Sequence, residues 1–347
     1  MLEVTLYCIG KSPHLSMPVT GFLMLEKQGR LRITWELDSE NRKGFPYSLI
    51  LGAYVRGKRI LFDMADGYGM PAEELSRAVG QSDFYFRRSF SKEQNSQLPK
   101  ELSQRMYPLG FHYHVSCQGN FMDQVFSFSE WRKELFQIIF NGASRRYFTP
   151  ERFECEPRKK DTPSVLFYTR LWDPEAIPAL YESILKINRD RICLVRELRN
   201  RYGSRFRGGI QYSPLALRQC RELVVNIRDS QRKRYLRAMR EADICVGSTG
   251  LHGSIGWKTG EYIAGAKAIV NEAFQYQVPG DFQEGVHYLP FTHVEECIKQ
   301  VDGLMEHPQE VYAMKCANKE YYEKYLRPDR LISNALSRVF PDFDAGR

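Results

Sequence analysis

The sequence predicts an α/β protein in two halves, on three observations. The chain has 347 residues, which is more than one average hydrophobic core organises, so two domains are expected. Strand patterns dominate the first half, and strands alternate with helices in the second half. Such alternation is typical of a doubly wound parallel sheet, whose ligand binds beyond the C-terminal ends of the strands.

Strand signals in the first half cluster β-branched and aromatic residues, as half-buried strands do. "VTLYCIG" predicts the opening strand, and "FLMLEKQGRLRITWEL" predicts two strands around a Gln-Gly turn. "SLILGAYVRGKRILFDMADG" predicts two more around Arg-Gly. A helix over "PAEELSRAV", with Pro71 in its first turn, and a strand at "DFYFRRSF" follow. The first domain therefore combines a parallel unit with extra antiparallel hairpins.

A linker is predicted between the halves. Residues 142–163 carry proline and charge without apolar periodicity. We therefore expect one domain over 1–150 and a second domain beginning at 151.

The second half alternates more regularly. "SVLFYTRL" predicts a strand buried on both faces that ends at Arg170. The elements expected next are two helices, "DPEAIPALYESILKINR" and "ICLVRELRNRYG", the strands "RFRGGIQ" and "ELVVNI", the helix "RKRYLRAMREA", the strand "DICVGST", a helix near 256–265 and the strand "KAIVNE". Arg170 and Thr249 then lie at strand ends, where a ligand is expected.

Composition indicates a globular protein. Hydrophobic residues make up 43% and charged residues 27% of the chain. There is no run of 18 apolar residues and no signal-peptide pattern at the N-terminus, so we expect a cytoplasmic protein. The eight cysteines have no metal-binding or redox spacing, which predicts reduced, buried thiols.

The net charge of +8 indicates an anionic partner. Seven arginines lie between Arg189 and Arg207, and "RDSQRKRYLRAMR" spans 228–240. Such runs are commonly solvated helix faces. The alternatives are contacts with the phosphates of a substrate, with acidic lipid headgroups at a membrane surface, or with nucleic acid, although no nucleic-acid recognition motif accompanies the charge.

A glycine-rich segment, "GSTGLHGSIGWKTGEYIAGAKAIVNE" at 247–272, connects a strand to a helix. Such a turn presents backbone N–H groups at the positive end of a helix dipole, which is how diphosphates are held. The residues placed to bind an anion are Gly253, Ser254 and Gly256 through their backbones, and Lys258 and Arg170 through their side chains. Glu261 is suited to accept hydrogen bonds from the hydroxyls of a sugar. The alternatives are a tight turn alone and a surface ion pair between Lys258 and Glu261.

These segments carry a family resemblance. The order "SVLFYTRLWDP", "RYLRAMREADICVGSTGL" and "GEYIAGAKAIVNE" resembles the C-terminal domain of nucleotide-sugar-dependent glycosyltransferases with the GT-B fold, of the family 1 or group 1 type. The resemblance covers about residues 164–335 and is most specific at 235–272. It implies two Rossmann-like domains facing a cleft, with a nucleotide-sugar-binding domain over 151–325 and a helix at 326–347 that crosses back to the first domain.

The resemblance also implies roles for individual residues. Glu261 is expected to bind the ribose of the donor nucleotide, and Arg170 and Lys258 to contact its diphosphate. Retaining members often carry another glutamate eight positions earlier, where this chain has Gly253. The stereochemical outcome and the contacts with the donor sugar are therefore left open.

The first half is expected to supply the acceptor site and a catalytic base. The candidates at its strand ends are Asp63, Asp66, Arg87, Arg88, His112 and His114. Asp66 and His114 are the candidate bases for an acceptor hydroxyl. The alternatives are that Asp66 forms a turn and that the two histidines share one face of a strand. No third zinc ligand stands at a suitable spacing.

The resemblance implies a glycosyltransferase of the hexosyltransferase type that takes a nucleoside diphosphate sugar, such as a UDP or GDP sugar, and a glycan, lipid or small-molecule acceptor. No cofactor or metal is expected, because a helix dipole and basic side chains can stabilise a leaving diphosphate. Two alternatives stay open: a GT-B-like module that binds a nucleotide or polyanion without catalysis, and a transferase that acts on nucleic acid.

Overall fold

The computed structural model describes residues 1–36, 45–125 and 127–343. The strands of the first sheet are β1 (Leu2–Cys8), β2 (Leu31–Glu36), β3 (Ile50–Val55), β4 (Lys58–Asp63), β5 (Phe84–Arg87) and β6 (Met106–Pro108). Those of the second sheet are β7 (Val165–Thr169), β8 (Phe206–Ile210), β9 (Ile244–Gly247), β10 (Ala268–Glu272) and β11 (Leu289–Phe291).

The helices follow in chain order. In the first half they are α1 (Ser16–Lys27), α2 (Ala72–Gly80), α3 (Lys92–Asn95), α4 (Lys100–Ser103), α5 (Phe128–Asn141) and α6 (Pro150–Phe153). In the second half they are α7 (Tyr181–Tyr202), α8 (Pro214–Cys220), α9 (Arg232–Glu241), α10 (Trp257–Ala264), α11 (Val294–Glu306), α12 (Pro308–Tyr321) and α13 (Pro328–Val339).

The first sheet has the order β2-β1-β3-β4-β5-β6. Only β3 among these strands runs antiparallel to its neighbours β1 and β4. The predicted hairpin around Arg-Gly is confirmed: Arg56 and Gly57 have φ of 46° and 77°, as a two-residue turn that matches the twist of its strands requires. The parallel unit β4-α2-β5 is also confirmed.

The predicted hairpin around Gln-Gly is wrong. Its second strand is β2, but the residues of its first strand belong to α1, and β2 pairs parallel to β1. All residues from Ser16 to Phe22 are buried, so this helix lacks a polar face. An apolar run without a polar face does not distinguish a buried helix from a strand.

The second sheet has the order β11-β10-β9-β7-β8 and is parallel throughout. Every residue of β7 is buried, as predicted. Counted from β7 as the first strand, this is the 2-1-3-4-5 order of a doubly wound sheet. Its strand order reverses between β7 and β9, where a crevice opens at the C-terminal ends.

Two predictions in the second half are wrong. The helices expected over 173–202 are one helix, α7, preceded by two short 3₁₀ turns and ended at Gly203. The segment "ELVVNI" is not a strand, and only Val224 pairs with β8 there. Arg199 donates to the Glu222 carbonyl at 2.6 Å, which occupies a backbone acceptor that a strand ladder would use.

The last helix returns to the first sheet's half. α13 packs on α1, where a Cβ at Gly21 would lie 2.2 Å from the Pro328 carbonyl oxygen, so glycine permits the close approach. Gln28 donates to Asp329 at 2.9 Å. Residues 344–347 of the predicted crossing segment lie outside the described residues, and the predicted domain boundaries stay predictions.

The predicted fold class is confirmed. Two α/β units with Rossmann-like sheets and a returning C-terminal helix form the GT-B arrangement. The eight cysteines are all free, and Cys8, Cys220, Cys245 and Cys297 are buried. Within the described part of the chain, no helix combines the length and apolar character needed to cross a membrane.

Candidate functional site

A cavity of about 510 Å³ lies at the switch point of the second sheet. The ends of β7 and β9, the loop over 248–256 and the first turn of α10 form one wall. The first half contributes His14, Asp66, Arg88 and Asn141 to the opposite side. The cavity therefore lies between the two sheets, as a ligand cleft in this fold does.

Most of the predicted site residues meet in this cavity. Those that line it are Asp66, Arg170, Ser254, Gly256, Lys258 and Glu261. The other three, His114, Thr249 and Gly253, are not among its lining residues.

The glycine-rich loop is held by contacts from both halves. Arg88 donates to the Ile255 carbonyl at 2.5 Å, and the Tyr276 hydroxyl donates to the His252 carbonyl at 2.8 Å. Within the loop, the Ser254 amide donates to Leu251 at 3.1 Å. That amide is therefore already used, and the anion-binding role predicted for the Ser254 backbone is not supported by this geometry.

The N-terminus of α10 points at the cavity. Gly256 is its N-cap, no side chain of the described residues caps it, and Gly256, Trp257 and Lys258 all line the cavity. The first amides of a helix carry partial positive charge and need acceptors. This end of α10 can therefore accept an anionic group of a ligand.

Gly253 does not line the cavity. Its φ is +64°, a left-handed conformation that favours glycine, and a Cβ there would lie 2.2 Å from the Gln275 side-chain oxygen. His252 before it also has positive φ, 58°. A side chain at this position would therefore meet both an unfavourable backbone conformation and the Gln275 side chain.

Arg170 follows β7 and stacks on Trp172, with its guanidinium carbon 3.9 Å from the ring centroid. Among the described residues, no carboxylate and no carbonyl accepts a hydrogen bond from this guanidinium. Stacking fixes the orientation of the planar group while its N–H donors stay available. The side chain is thus oriented for an anion in the cavity.

Arg191 of α7 is a site residue that the sequence analysis missed. It is 6% exposed and donates to the carbonyls of Arg170 at 2.7 Å and Thr249 at 3.0 Å, and to the Ser248 hydroxyl at 3.2 Å. Burial lowers the pKa of Arg191 to about 10. The side chain joins the ends of β7 and β9 and adds positive charge behind the cavity.

Lys258 lies inside the cavity wall. Its ammonium group donates to the Tyr168 carbonyl at 2.7 Å and lies 4.8 Å from the centroid of the Tyr235 ring. Burial lowers its pKa to about 8. The lysine is therefore partly deprotonated near neutral pH until an anion favours its charged form.

Glu261 is 1% exposed and lines the cavity from α10. One carboxylate oxygen accepts from Arg232 at 2.8 Å, and the other has no hydrogen-bond partner among the described residues. Its ion-pair partner is thus Arg232 and not Lys258, the pairing that the sequence left open as an alternative. A buried carboxylate oxygen without a donor is costly, and either a ligand or the Tyr235 hydroxyl, whose pKa burial and the nearby Glu261 carboxylate raise, can supply one.

Thr249 has a structural role in this geometry. Its amide donates to the Glu272 carboxylate at 2.6 Å, and its hydroxyl donates to the same oxygen at 2.5 Å. These bonds join the ends of β9 and β10. Contact with a ligand stays a prediction for this residue.

Asp66 comes from the first half. Its carboxylate pairs with Arg88, and its side chain is 42% exposed. Since Arg88 also holds the loop at Ile255, this pair connects the two halves at the mouth of the cavity. Asp63 and Arg87, two further strand-end candidates, form a buried ion pair with each other and do not line the cavity.

Three histidines of the first half surround Trp257. His14, His112 and His114 lie with their ring centroids 4.8, 5.0 and 5.9 Å from it. Burial lowers the pKa of each of them, and that of His112 falls well below its usual range. His114 is 7% exposed behind the cavity wall, so its predicted catalytic role remains a prediction that this placement does not favour.

The charges around the cavity favour an anion. Among its described lining residues the basic ones are Arg88, Arg170, Arg191, Arg232 and Lys258, and the acidic ones are Asp66 and Glu261. Positive charge in a cleft with low-dielectric walls attracts anionic ligands strongly.

Comparisons with known proteins give likeness in structure only. No protein-family model and no curated protein matches the chain. The C-terminal domain of a group 1 glycosyl transferase, LpcC from Francisella tularensis, is 12% identical with a TM-score of 0.35, over 50% of this chain and 96% of that one. Anabaena HepE in complex with UDP is 12% identical with a TM-score of 0.33, over 97% and 100%. A Listeria monocytogenes protein described as a UDP-N-acetylglucosamine 2-epimerase is 12% identical with a TM-score of 0.45, over 98% and 97%. These are proteins that the chain is similar to, and a likeness at this level does not decide its activity.

Proposed function

We propose that this protein is a glycosyltransferase that moves a sugar from a nucleoside diphosphate donor to an acceptor hydroxyl. One observation carries the proposal: the oriented Arg170 guanidinium, the uncapped end of α10 and the unpartnered oxygen of Glu261 line the same cavity. A diphosphate joined to a ribose presents the matching groups, two anionic phosphates and two hydroxyl donors.

The donor would lie across the switch point. The unpartnered oxygen of Glu261 accepts hydrogen bonds from the ribose hydroxyls. Arg232 donates to the other carboxylate oxygen and holds it in place. The first amides of α10 and the Arg170 guanidinium bind the diphosphate. We place the sugar beyond the diphosphate, on the side of the cavity that Asp66 and the first half contribute.

In the proposed reaction, the bond between the anomeric carbon and the diphosphate oxygen breaks, and a bond to the acceptor oxygen forms. The diphosphate leaves with the electron pair, and Arg170, Lys258 and α10 stabilise its charge. The acceptor hydroxyl loses its proton, for which Asp66 is the candidate base because it is exposed at the cavity mouth. The proposal requires no metal or other cofactor.

Turnover of defined donors tests this proposal. Purified protein is incubated with a panel of UDP and GDP sugars and with glycan, lipid and small-molecule acceptors, with and without EDTA. The expected result is release of the nucleoside diphosphate coupled to transfer, unchanged by EDTA. Nucleotide binding without transfer or donor hydrolysis overturns the proposal in favour of a non-catalytic module, and epimerisation of the donor without transfer also overturns it. Salt-sensitive transfer to DNA or RNA replaces the proposed acceptors with nucleic acid.

The pKa of Lys258 leads to a pH-dependent affinity for nucleoside diphosphates. In the free protein Lys258 loses its proton near pH 8, whereas a bound diphosphate favours the protonated form. Binding above pH 8 therefore takes up a proton, and the affinity falls with rising pH by up to about tenfold per unit. Titration calorimetry measures the affinity between about pH 7 and about pH 9.5, a range that extends at least about one unit to either side of the Lys258 pKa.

Two variants at the same position serve as controls for the pH effect. Lys258→Arg keeps a charge at every pH in this range, and Lys258→Met has none, so both should remove the decline above pH 8. A decline that persists in both variants would assign it to another group.

A further inference from the structure

α5 is an unusual helix because none of its 14 residues is buried. Ser127 caps its N-terminus by accepting from the Glu130 amide at 3.2 Å, and Gly142 ends it with φ of 70°. The helix is therefore properly terminated, yet little of it packs against the rest of the chain.

Large apolar side chains of α5 point to solvent. They are Phe128, Trp131, Leu135, Phe136, Ile138, Ile139 and Phe140, exposed by 40–74%. At about 3.6 residues per turn, these positions cover more than half of the helix circumference. An exposed apolar surface of this width marks an interaction site.

The charged side chains that α5 leaves without an ion pair are both positive. Glu130 pairs with Lys11 at 2.9 Å, and Glu134 accepts from Ser144 and lies 3.8 Å from Arg146. Arg132 and Lys133 are exposed and form no ion pair with any described residue. The surface that α5 offers to a partner is thus apolar and positively charged.

The positive surface continues beyond α5. Gln231 donates to the Ile139 carbonyl at 2.9 Å, which joins the end of α5 to the start of α9. A cavity of about 750 Å³ lies along α9, and its described lining residues include eight basic and four acidic side chains. Lys233 and Arg237 of α9 belong to that lining.

We propose that α5 is a membrane-docking helix that lies in the plane of an anionic lipid surface. Its apolar side chains enter the boundary between headgroups and acyl chains, and Arg132 and Lys133 extend to the anionic headgroups. At about 1.5 Å per residue it is about 21 Å long, too short to span a hydrocarbon core of about 30 Å. Trp131 stacks on Phe128 with ring centroids 5.6 Å apart and suits the interfacial region.

A second copy of this chain fits the same face less well. Two α5 helices packed together would bring Arg132 and Lys133 of both copies near one interface, while the α5 carboxylates already have partners within their own chain. Because Asn141 at the end of α5 also lines the candidate donor cavity, docking holds that cavity close to the headgroups. The inference does not depend on glycosyl transfer.

Co-sedimentation of the full chain with lipid vesicles tests this inference. Vesicles of phosphatidylcholine alone are compared with vesicles that contain phosphatidylglycerol, at low and at raised salt. The expected result is binding that requires phosphatidylglycerol and weakens with salt. Trp131→Gln combined with Phe136→Gln, and Arg132→Gln combined with Lys133→Gln, should each weaken binding about tenfold or more.

Matched exposed residues elsewhere provide the controls. Arg189→Gln combined with Arg218→Gln removes two exposed arginines, and Tyr312→Gln removes an exposed aromatic ring on α12 that is 39% exposed. These variants should bind vesicles like the unaltered chain, with nucleotide affinity and thermal unfolding unchanged in all variants. Equal binding to both kinds of vesicle, equal loss in the controls, or α5 variants that only convert a dimer to a monomer would each overturn the proposal.

Discussion

Replacing Arg170 with alanine is expected to lower kcat/KM for glycosyl transfer by about 100- to 1,000-fold, the loss seen when one donor to a developing negative charge is removed. The guanidinium stacks on Trp172 and has no polar partner among the described residues, so its donors are available to the leaving diphosphate. Because charge on that diphosphate grows in the transition state, most of the loss should fall on kcat. Steady-state kinetics with a donor identified from the panel measures it.

The controls for Arg170 separate charge from geometry. Arg170→Lys keeps the positive charge without the planar fork and should recover only part of the rate. Arg218→Ala, an exposed arginine on α8, should leave kinetics unchanged. Thermal unfolding should change little for Arg170→Ala, since no described hydrogen bond of its side chain is lost. Unchanged kcat in a folded Arg170→Ala protein would remove this residue from the mechanism.

The second sheet and much of the cavity were predictable from the sequence. Alternation of buried strands and amphipathic helices predicts a parallel sheet, and the C-terminal ends of its strands are then the expected positions of Arg170 and the loop before α10. Glu261 could be placed near Lys258 from helical spacing. Its real partner, Arg232, comes from α9, about 30 residues earlier, and long-range pairings of that kind are not encoded in local spacing.

Arg191 shows a signal that could have been used. It stands among charged residues, but Ile184, Asn188, Val195 and Leu198 are buried at helical spacing on α7, and Arg191 falls on the same face. An arginine on a buried face must find acceptors, and carbonyls at strand ends provide them here. Periodicity, applied to this residue, distinguishes it from the solvated arginines around it.

α1 and α5 show two ways in which hydrophobic periodicity fails to predict how a helix packs. α1 is buried between the first sheet and α13, so it lacks the polar face by which a surface helix is recognised. α5 has an apolar arc that normally predicts packing against a core, yet that arc is exposed. A sequence pattern identifies the apolar side chains of a helix, but whether the protein core or a partner covers them depends on the tertiary structure.

Replacing Glu261 with alanine is expected to weaken binding of the nucleoside diphosphate by about 10- to 100-fold, the range for losing hydrogen bonds to a charged group. The free carboxylate oxygen is buried and lines the cavity, so the hydroxyls of a ribose can donate to an acceptor that makes no hydrogen bond with a described residue. Glu261→Gln should bind with intermediate affinity, since one oxygen acceptor remains. Titration calorimetry with UDP and GDP, and with the corresponding 2′-deoxynucleotides, measures the effect.

The 2′-deoxynucleotides decide whether Glu261 contacts the ribose. If it does, removing the 2′-hydroxyl weakens binding to the unaltered protein but hardly changes binding to Glu261→Ala, because the two losses concern the same contact. Glu272→Gln is the matched control, since Glu272 accepts from Thr249 at the same edge of the sheet without lining the cavity. Both glutamate variants at 261 remove the negative charge that pairs with Arg232, which keeps its hydrogen bond to the His114 carbonyl, so thermal unfolding must be compared as well. The assignment would be contradicted if the losses from Glu261→Ala and from removal of the 2′-hydroxyl simply added, or if Glu272→Gln lost as much affinity. A carboxylate that only supports the fold does not contact the ribose, so its removal should affect ribonucleotides and deoxynucleotides equally.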